Sequence, residues 1–99
     1  MALTIRLTPR AIRDLREIRA YLTERSPRGA DNVRLDIDRT LLTLADFPGV
    51  AHECDIPGVR VLATSRYPYL VYHVLRGNEL VVLHVRHGSR TPIGPGDLT

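Results

Sequence analysis

Arginine, histidine and tyrosine side chains recur in the second half of the sequence, beside segments with the pattern of strands. The set is Arg60, Arg66, Tyr69, Tyr72, Arg86, His87 and Arg90. We expect Arg60 and Arg66 on the first strand of this half, and the set from Arg86 to Arg90 at the end of the last strand. Antiparallel pairing through a central strand would bring these regions onto one face of a sheet, with Tyr69 and Tyr72 nearby. Guanidinium groups beside an imidazole and a phenol suit phosphate binding combined with proton transfer, which RNA cleavage by a 2′-hydroxyl requires. The alternative is that Arg60 and Arg66 simply pair with surface carboxylates.

The other residues that could carry chemistry show no recognised motif. Four histidines and Cys54 supply possible metal ligands, but their spacing matches no Cys/His metal motif. His84 and His87 are three apart on a predicted strand, so their side chains point to opposite faces. The glycines near residue 95 lack the lysine of a phosphate-binding loop, and no nucleophile elbow occurs. We therefore expect neither a metal nor a cofactor.

All basic residues of the chain are arginine. The sequence has 14 of them, no lysine, and a formal net charge of +3. Any phosphate contact must therefore come from a guanidinium, and no lysine amine can act as an acid, base or nucleophile. An i, i+3 row on the first predicted helix comprises Arg10, Arg13, Arg16 and Arg19. This row is either a phosphate-binding patch or, as we favour, a solvated face with ion pairs to Asp14 and Glu17.

The first half of the chain predicts one strand and two helices. Residues 3–7 alternate apolar and polar side chains, the pattern of a half-buried strand. Thr8-Pro9 and Ser26-Pro27 each place a capping residue before a proline, which starts a helix. The first helix ends near Arg25 and the second stops at Pro48-Gly49. With so short a link, the two helices form an αα-hairpin.

The second half changes to strand periodicity. Segments 59–63, 70–75 and 80–85 predict three strands, and Gly77-Asn78 predicts a tight hairpin between the last two. The element order is β-α-α-β-β-β, an α+β fold with a helical hairpin on one face of a small, mostly antiparallel sheet. We expect a single domain over residues 1–99, with a loose tail at 92–99.

Cysteine content and hydropathy indicate the compartment. A single cysteine, Cys54, allows no internal disulfide, which is typical of a reducing environment. The N-terminus has no signal-peptide pattern, and no apolar run approaches the length of a membrane span. These features predict a cytoplasmic protein with no membrane association.

Several segments together resemble the RelE/ParE toxin superfamily. In the helical half they are Ala11-x3-Leu15-x-Glu17-Ile18-x2-Tyr21, Ser26-Pro27-x2-Ala30 and Pro48-Gly49. In the sheet half they are Pro57-Gly58-Val59-Arg60, the run from Tyr67 to Tyr72, and Val85-x-His87-x2-Arg90. Their order and spacing cover the chain from about residue 3 to residue 91.

The resemblance implies a toxin neutralised by a ParD-like antitoxin that is encoded beside it. In this superfamily the C-terminal segment of the antitoxin folds onto the toxin, which forms a hetero-oligomer and reaches DNA only through the antitoxin. An apolar groove for that segment would be lined partly by Leu15, Ile18, Leu22 and Leu41, although we expect most of these leucines and isoleucines to be core residues.

Two activities occur in the superfamily, and the sequence favours one. ParE-type toxins act on DNA gyrase without catalysing a reaction, whereas RelE-type toxins cleave mRNA on the ribosome. The chain lacks the lysines of the nucleases and their C-terminal tyrosine, and it has Tyr69 where they carry an arginine. We therefore predict a gyrase inhibitor whose target-binding residues are Arg60, Arg66, Tyr69, Arg86, His87 and Arg90, with no catalytic residue.

Three alternatives stay open at the level of sequence. The first is a RelE-like nuclease that would use Arg60, His87 and Arg90. The second is a degraded toxin that acts only as an antitoxin-binding module. The third is a stand-alone nucleic-acid-binding protein, against which the single phenylalanine, Phe47, argues because it provides no stacking platform.

Overall fold

A computed structural model describes residues 2–88 of the chain. The elements in chain order are β1 (Thr4–Leu7), α1 (Pro9–Arg25), α2 (Pro27–Asp46), a 3-10 turn (Pro48–Val50), β2 (His52–Glu53), β3 (Arg60–Ala63), β4 (Tyr69–Arg76) and β5 (Glu79–His87). The predicted loose tail at 92–99 lies outside the described residues. Within residues 2–88, neither helix is long and apolar enough to cross a membrane.

The helical hairpin begins and turns at two capping residues. The Thr8 hydroxyl accepts a hydrogen bond from the Ala11 amide at 3.1 Å and caps α1. Ser26 serves both helices, because its amide donates to the Leu22 carbonyl at 2.7 Å while its hydroxyl accepts from the Gly29 amide at 3.0 Å. One residue therefore ends α1 and starts α2, which fixes the antiparallel hairpin predicted from the sequence.

The five strands form one mixed sheet in the order β1-β5-β4-β3-β2. The β1 strand runs parallel to β5, with Ile5 opposite Leu80, and all other neighbours are antiparallel. The prediction of a mostly antiparallel sheet is therefore confirmed. The two-residue strand β2 has no counterpart in the prediction, because it is too short to show a period. Gly77, with φ of +53°, provides the left-handed turn between β4 and β5.

Both helices pack on one face of the sheet, here called the covered face. Its strand residues include Val71 of β4 and Leu80 and Val82 of β5, all fully buried against Ile37 and Leu44 of α2. Side chains alternate along a strand, so the strand residues that alternate with these core residues point to the opposite face of the sheet. That face carries neither helix and is called the open face here. A register shift at Tyr72/His73 interrupts the pairing of β4 with β5 near the middle of the sheet.

Candidate functional site

An apolar groove of about 340 Å³ lies on the helical hairpin. We call it the hairpin groove. Its apolar lining comprises Leu7 of β1, Ile12, Leu15 and Ile18 of α1, and Ala30, Val33 and Ile37 of α2. Ile12 is 38% exposed, a large apolar side chain left open to solvent. A concave apolar surface between two helices has the shape and chemistry to accept an amphipathic segment.

The sequence predicts four residues for such a groove, and the structure separates them into two pairs. Leu15 and Ile18 line the hairpin groove. Leu41 is a buried core residue, and Leu22 is packed against the core outside the groove lining. Leu15, Ile18 and Leu22 are all partly buried against the core, so the apolar stripe of α1 supplies both the core and the groove.

Charged side chains form the rim of the groove. Arg16 and Arg19 lie on the α1 side, and Arg34 and Asp38 lie on the α2 side. Arg19 donates to Asp31 at 3.2 Å, and the Arg34 and Asp38 charges are 3.8 Å apart. The rim therefore carries three cations and one anion around an apolar floor, which gives the groove a net positive edge.

A buried aspartate connects α1 to the end of β5. The Asp14 carboxylate accepts hydrogen bonds from Arg10 Nε at 3.1 Å, from His84 Nδ1 at 2.5 Å and from the Val85 amide at 3.1 Å. The predicted Arg10–Asp14 pair is confirmed, but Asp14 is only 7% exposed and does not belong to a solvated face. Because β1 ends at Leu7, Asp14 replaces the missing strand neighbour at this part of β5.

His84 begins a polar cluster that continues on the open face. Its ring stacks on that of Tyr72, with centroids 5.9 Å apart. The Tyr72 hydroxyl accepts hydrogen bonds from Arg86 Nε at 3.2 Å and from Arg86 Nη2 at 3.0 Å. Arg86 also donates to the His87 carbonyl. These contacts hold the guanidinium in one orientation, an arrangement that suits an anion-binding arginine.

Arg86 and His87 point to opposite faces of the sheet. His87 lies opposite Tyr69, and the two rings meet edge to face with centroids 5.4 Å apart on the covered side. Tyr69 is 7% exposed and belongs to the hydrophobic core. The prediction that these residues share one face with Arg86 is therefore wrong, since consecutive strand residues alternate in direction.

Arg60 and His73 are cross-strand partners at the other end of the covered face. Arg60 Nη2 donates to the Ala51 carbonyl at 3.1 Å. His73 is fully buried, and its Nδ1 donates to the Val71 carbonyl at 3.1 Å. Arg60 Nε and His73 Nε2 are both buried, with no hydrogen-bond partner among residues 2–88. Burial lowers the pKa of His73, and the Arg60 charge lowers it further, against the raising effect of the Val71 hydrogen bond.

A second buried aspartate holds the loop between β3 and β4. Asp36 of α2 accepts hydrogen bonds from the Ser65 hydroxyl at 3.0 Å, the Arg66 amide at 2.9 Å and the Tyr67 amide at 3.1 Å. Arg66 therefore lies in this loop and not on a strand as predicted. Burial raises the pKa of Asp36, but the hydrogen bonds from Arg66, Ser65, Tyr67 and Thr64 together outweigh burial and lower it below 3.8.

Two further expectations from the sequence concern Arg90 and a metal site. Arg90 lies outside the described residues. Across residues 2–88, no three His, Cys, Asp or Glu side chains come together to hold a metal ion. His84 and His73 are already engaged, the first by Asp14 and the second by a backbone carbonyl.

A helical hairpin on a mixed five-stranded sheet, with an apolar groove and a positive rim, defines a small α+β domain. The family described as the ParE toxin of type II toxin–antitoxin systems, parDE, matches residues 5–92. The chain therefore belongs to this family of toxins, as its motifs predict.

Known relatives agree with this assignment. The chain is 35% identical over 82 residues to Y4kP of Sinorhizobium fredii strain NGR234, a putative toxin, covering 81% of this chain and 85% of the relative. Its fold resembles a structure of the chromosomal ParDE system of P. aeruginosa, with a TM-score of 0.75, 24% identity and coverage of 87% and 96%. The toxin–antitoxin complex RelBE2 of Mycobacterium tuberculosis is also similar, with a TM-score of 0.62, 22% identity and coverage of 88% and 99%.

Proposed function

We propose that this toxin inhibits DNA gyrase and blocks replication until an antitoxin neutralises it. The observation that carries the proposal is the match of residues 5–92 to the ParE family, whose members we expect to act on gyrase. The absence of lysine supports the same reading, because no lysine amine is present for nuclease chemistry.

The positions of Arg60 and His87 also favour inhibition over RNA cleavage. Both lie on the covered face, but Arg60 is opposite His73 and His87 is opposite Tyr69. Four residues along β4 and two strand intervals separate the two positions, or about 16 Å between Cα atoms from standard sheet spacings. Acid–base catalysis requires groups within hydrogen-bond reach of one reacting phosphate, whereas Arg60 donates to the Ala51 carbonyl and the His87 ring packs edge to face on Tyr69.

The gyrase contact is best placed on arginines that stay at least partly exposed. Arg86 is presented on the open face by Tyr72, and Arg66 is exposed on the loop held by Asp36. Tyr69 is buried and Arg60 is turned toward Ala51, so these two support the framework around the contact. His87 is intermediate in exposure, because its ring is partly buried against Tyr69.

The antitoxin is best placed in the hairpin groove. Solved structures with this fold include toxin–antitoxin complexes, and the groove offers an apolar floor of suitable shape for a peptide segment. A ParD-like antitoxin that docks there would form a hetero-oligomer with the toxin. The complex would reach DNA through the antitoxin. The free toxin would act in the cytoplasm, where gyrase works.

A gyrase supercoiling assay tests the proposal. Purified toxin is added to gyrase and relaxed plasmid, with and without ATP, and the reaction is scored for lost supercoiling and for cleaved DNA. We expect supercoiling to fall and cleaved DNA to accumulate, and the neighbouring antitoxin to reverse both effects. The matched variant Ile12→Glu, which places a charge in the groove, should still inhibit gyrase but should resist the antitoxin.

Each other outcome identifies a different function. If folded toxin leaves gyrase untouched but cleaves mRNA on translating ribosomes, the RelE-like activity replaces the proposal. If it affects neither target yet binds the antitoxin, the chain is a degraded toxin that serves as a binding module. Circular dichroism of the same sample establishes that the protein is folded.

A further inference from the structure

We infer that Arg16 is a specificity residue of the hairpin groove, and that the antitoxin segment in the groove presents a carboxylate to it. The inference rests on the proposed docking of an antitoxin and adds the chemistry by which the right one is recognised. It follows from the charges on the rim and from their partners within the toxin.

The rim arginines differ in how far their charge is already balanced. Arg19 is paired with Asp31 at 3.2 Å, and Arg34 lies 3.8 Å from Asp38. The Arg16 side chain is exposed and makes no hydrogen bond or ion pair within residues 2–88. The unbalanced positive charge of the rim is therefore concentrated on the α1 side, at Arg16.

Arg16 also occupies the middle of the groove along the helix. It lies one turn after Ile12 and between Leu15 and Ile18 in sequence, all three of which line the groove. The α1 lining spans residues 12–19, or about 10 Å at the rise of an α-helix. An amphipathic segment of about two turns would fill this length, with apolar residues on the floor and a flanking acidic side chain over Arg16.

A charge at such a rim position acts mainly on partner choice. Opposite charges across the rim of an interface steer association and discriminate against partners that bring a like charge. The apolar floor is generic, since leucine and isoleucine accept many hydrophobic segments. An antitoxin that places an arginine or lysine over Arg16 would therefore be rejected although its apolar residues fit.

The test measures binding of the full-length toxin to the antitoxin encoded beside it, by isothermal titration calorimetry. We expect Arg16→Ala to weaken the dissociation constant about two- to fivefold, as for an exposed ion pair. Arg16→Glu should weaken it about tenfold or more, because repulsion adds to the lost attraction. Replacing the facing acidic residue of the antitoxin with arginine should restore tight binding to Arg16→Glu alone.

The matched control is Arg13→Glu. Arg13 is on the same helix and exposed, and it does not line the groove. Arg13→Glu changes the net charge by the same amount as Arg16→Glu, so a difference in affinity between the two variants cannot come from net charge. We expect its affinity to stay within about twofold of the unmodified toxin, and its salt dependence to be unchanged.

The outcomes separate this inference from the proposed function. If Ile12→Glu abolishes binding but Arg16→Glu and Arg13→Glu are equal, the groove is the docking site and the inference about Arg16 is wrong. If Ile12→Glu binds normally, the antitoxin docks elsewhere and the proposed docking fails first. Rescue of Arg16→Glu by the reversed antitoxin, with no gain for Arg13→Glu, would support the inference.

Discussion

Replacing Asp14 with alanine should remove the main polar link between α1 and β5. The Asp14 carboxylate is buried and receives donors from Arg10, His84 and the Val85 amide. In Asp14→Ala, Arg10 can turn to solvent, since its side chain is 27% exposed. The His84 ring and the Val85 amide cannot, because both are enclosed at the contact of the helix with the strand.

The expected cost follows from these two stranded donors. A buried donor that loses its partner costs about 1–3 kcal/mol, so the free energy of unfolding should fall by about 2–6 kcal/mol. A domain of this size has about 5–15 kcal/mol in total. The melting temperature should accordingly drop by at least about 8 °C, at about 4–8 °C per kcal/mol for a chain near 100 residues.

Urea denaturation followed by circular dichroism measures this change. The matched control is Asp31→Ala, which deletes an aspartate of α2 paired with Arg19 at the surface and should change stability by less than about 1 kcal/mol. A loss of under about 1 kcal/mol in Asp14→Ala, equal to that of the control, would refute the argument that Asp14 satisfies buried groups at β5.

Three further perturbations test other parts of the structure. The pKa of His73 is lowered in the folded state, so the stability that neutral His73 contributes is fully present above pH 6.5 and is lost as the pH falls toward and through the folded-state pKa. The free energy of unfolding should fall by at most about 1.4 kcal/mol per pH unit in this range. Urea midpoints between pH 5 and 7 should show this slope, and His73→Phe should flatten it. Asp36 also has a lowered pKa, so its contribution should disappear as the pH falls below 3.8, and wild type should lose stability more steeply there than Asp36→Asn. Thr8→Ala removes the cap of α1 and a bond to the Leu83 carbonyl, and thermal melting should show a loss of about 1–2 kcal/mol.

The fold could largely be predicted because its signals are local. The Thr8-Pro9 and Ser26-Pro27 pairs mark both helix starts within one residue, since each cap bonds an amide only three positions away. The hairpin at Gly77 is equally local. The parallel pairing of β1 with β5 was not predicted, because it joins segments more than 70 residues apart in the chain. The hydrophobic period of a strand shows which face is buried but does not show which strand is its neighbour.

Most polar contacts of the site could not be predicted from the sequence, because they also join residues that are far apart in the chain. Asp14 reads as one member of a charged helix face, yet its partners His84 and Val85 are 70 and 71 residues away. Asp36 likewise meets the loop at 65–67 only after the sheet has formed. A signal was available in principle, because Asp14 and Asp36 lie next to apolar stripe positions of their helices, where a charge requires a buried partner.

The division of the molecule into two faces bears directly on how neutralisation can work. The hairpin groove is on the helical side, whereas Arg86 and Tyr72 are on the open face of the sheet. An antitoxin segment confined to the groove would not cover Arg86. Neutralisation through the groove alone would then require a change transmitted along α1, whose Asp14 contacts His84 and, through its ring, Tyr72. Simple occlusion would require the antitoxin to extend beyond the groove. If the toxin inhibits gyrase as proposed, a peptide that fills only the groove distinguishes the two mechanisms. The peptide should restore supercoiling in the first case and leave supercoiling inhibited in the second.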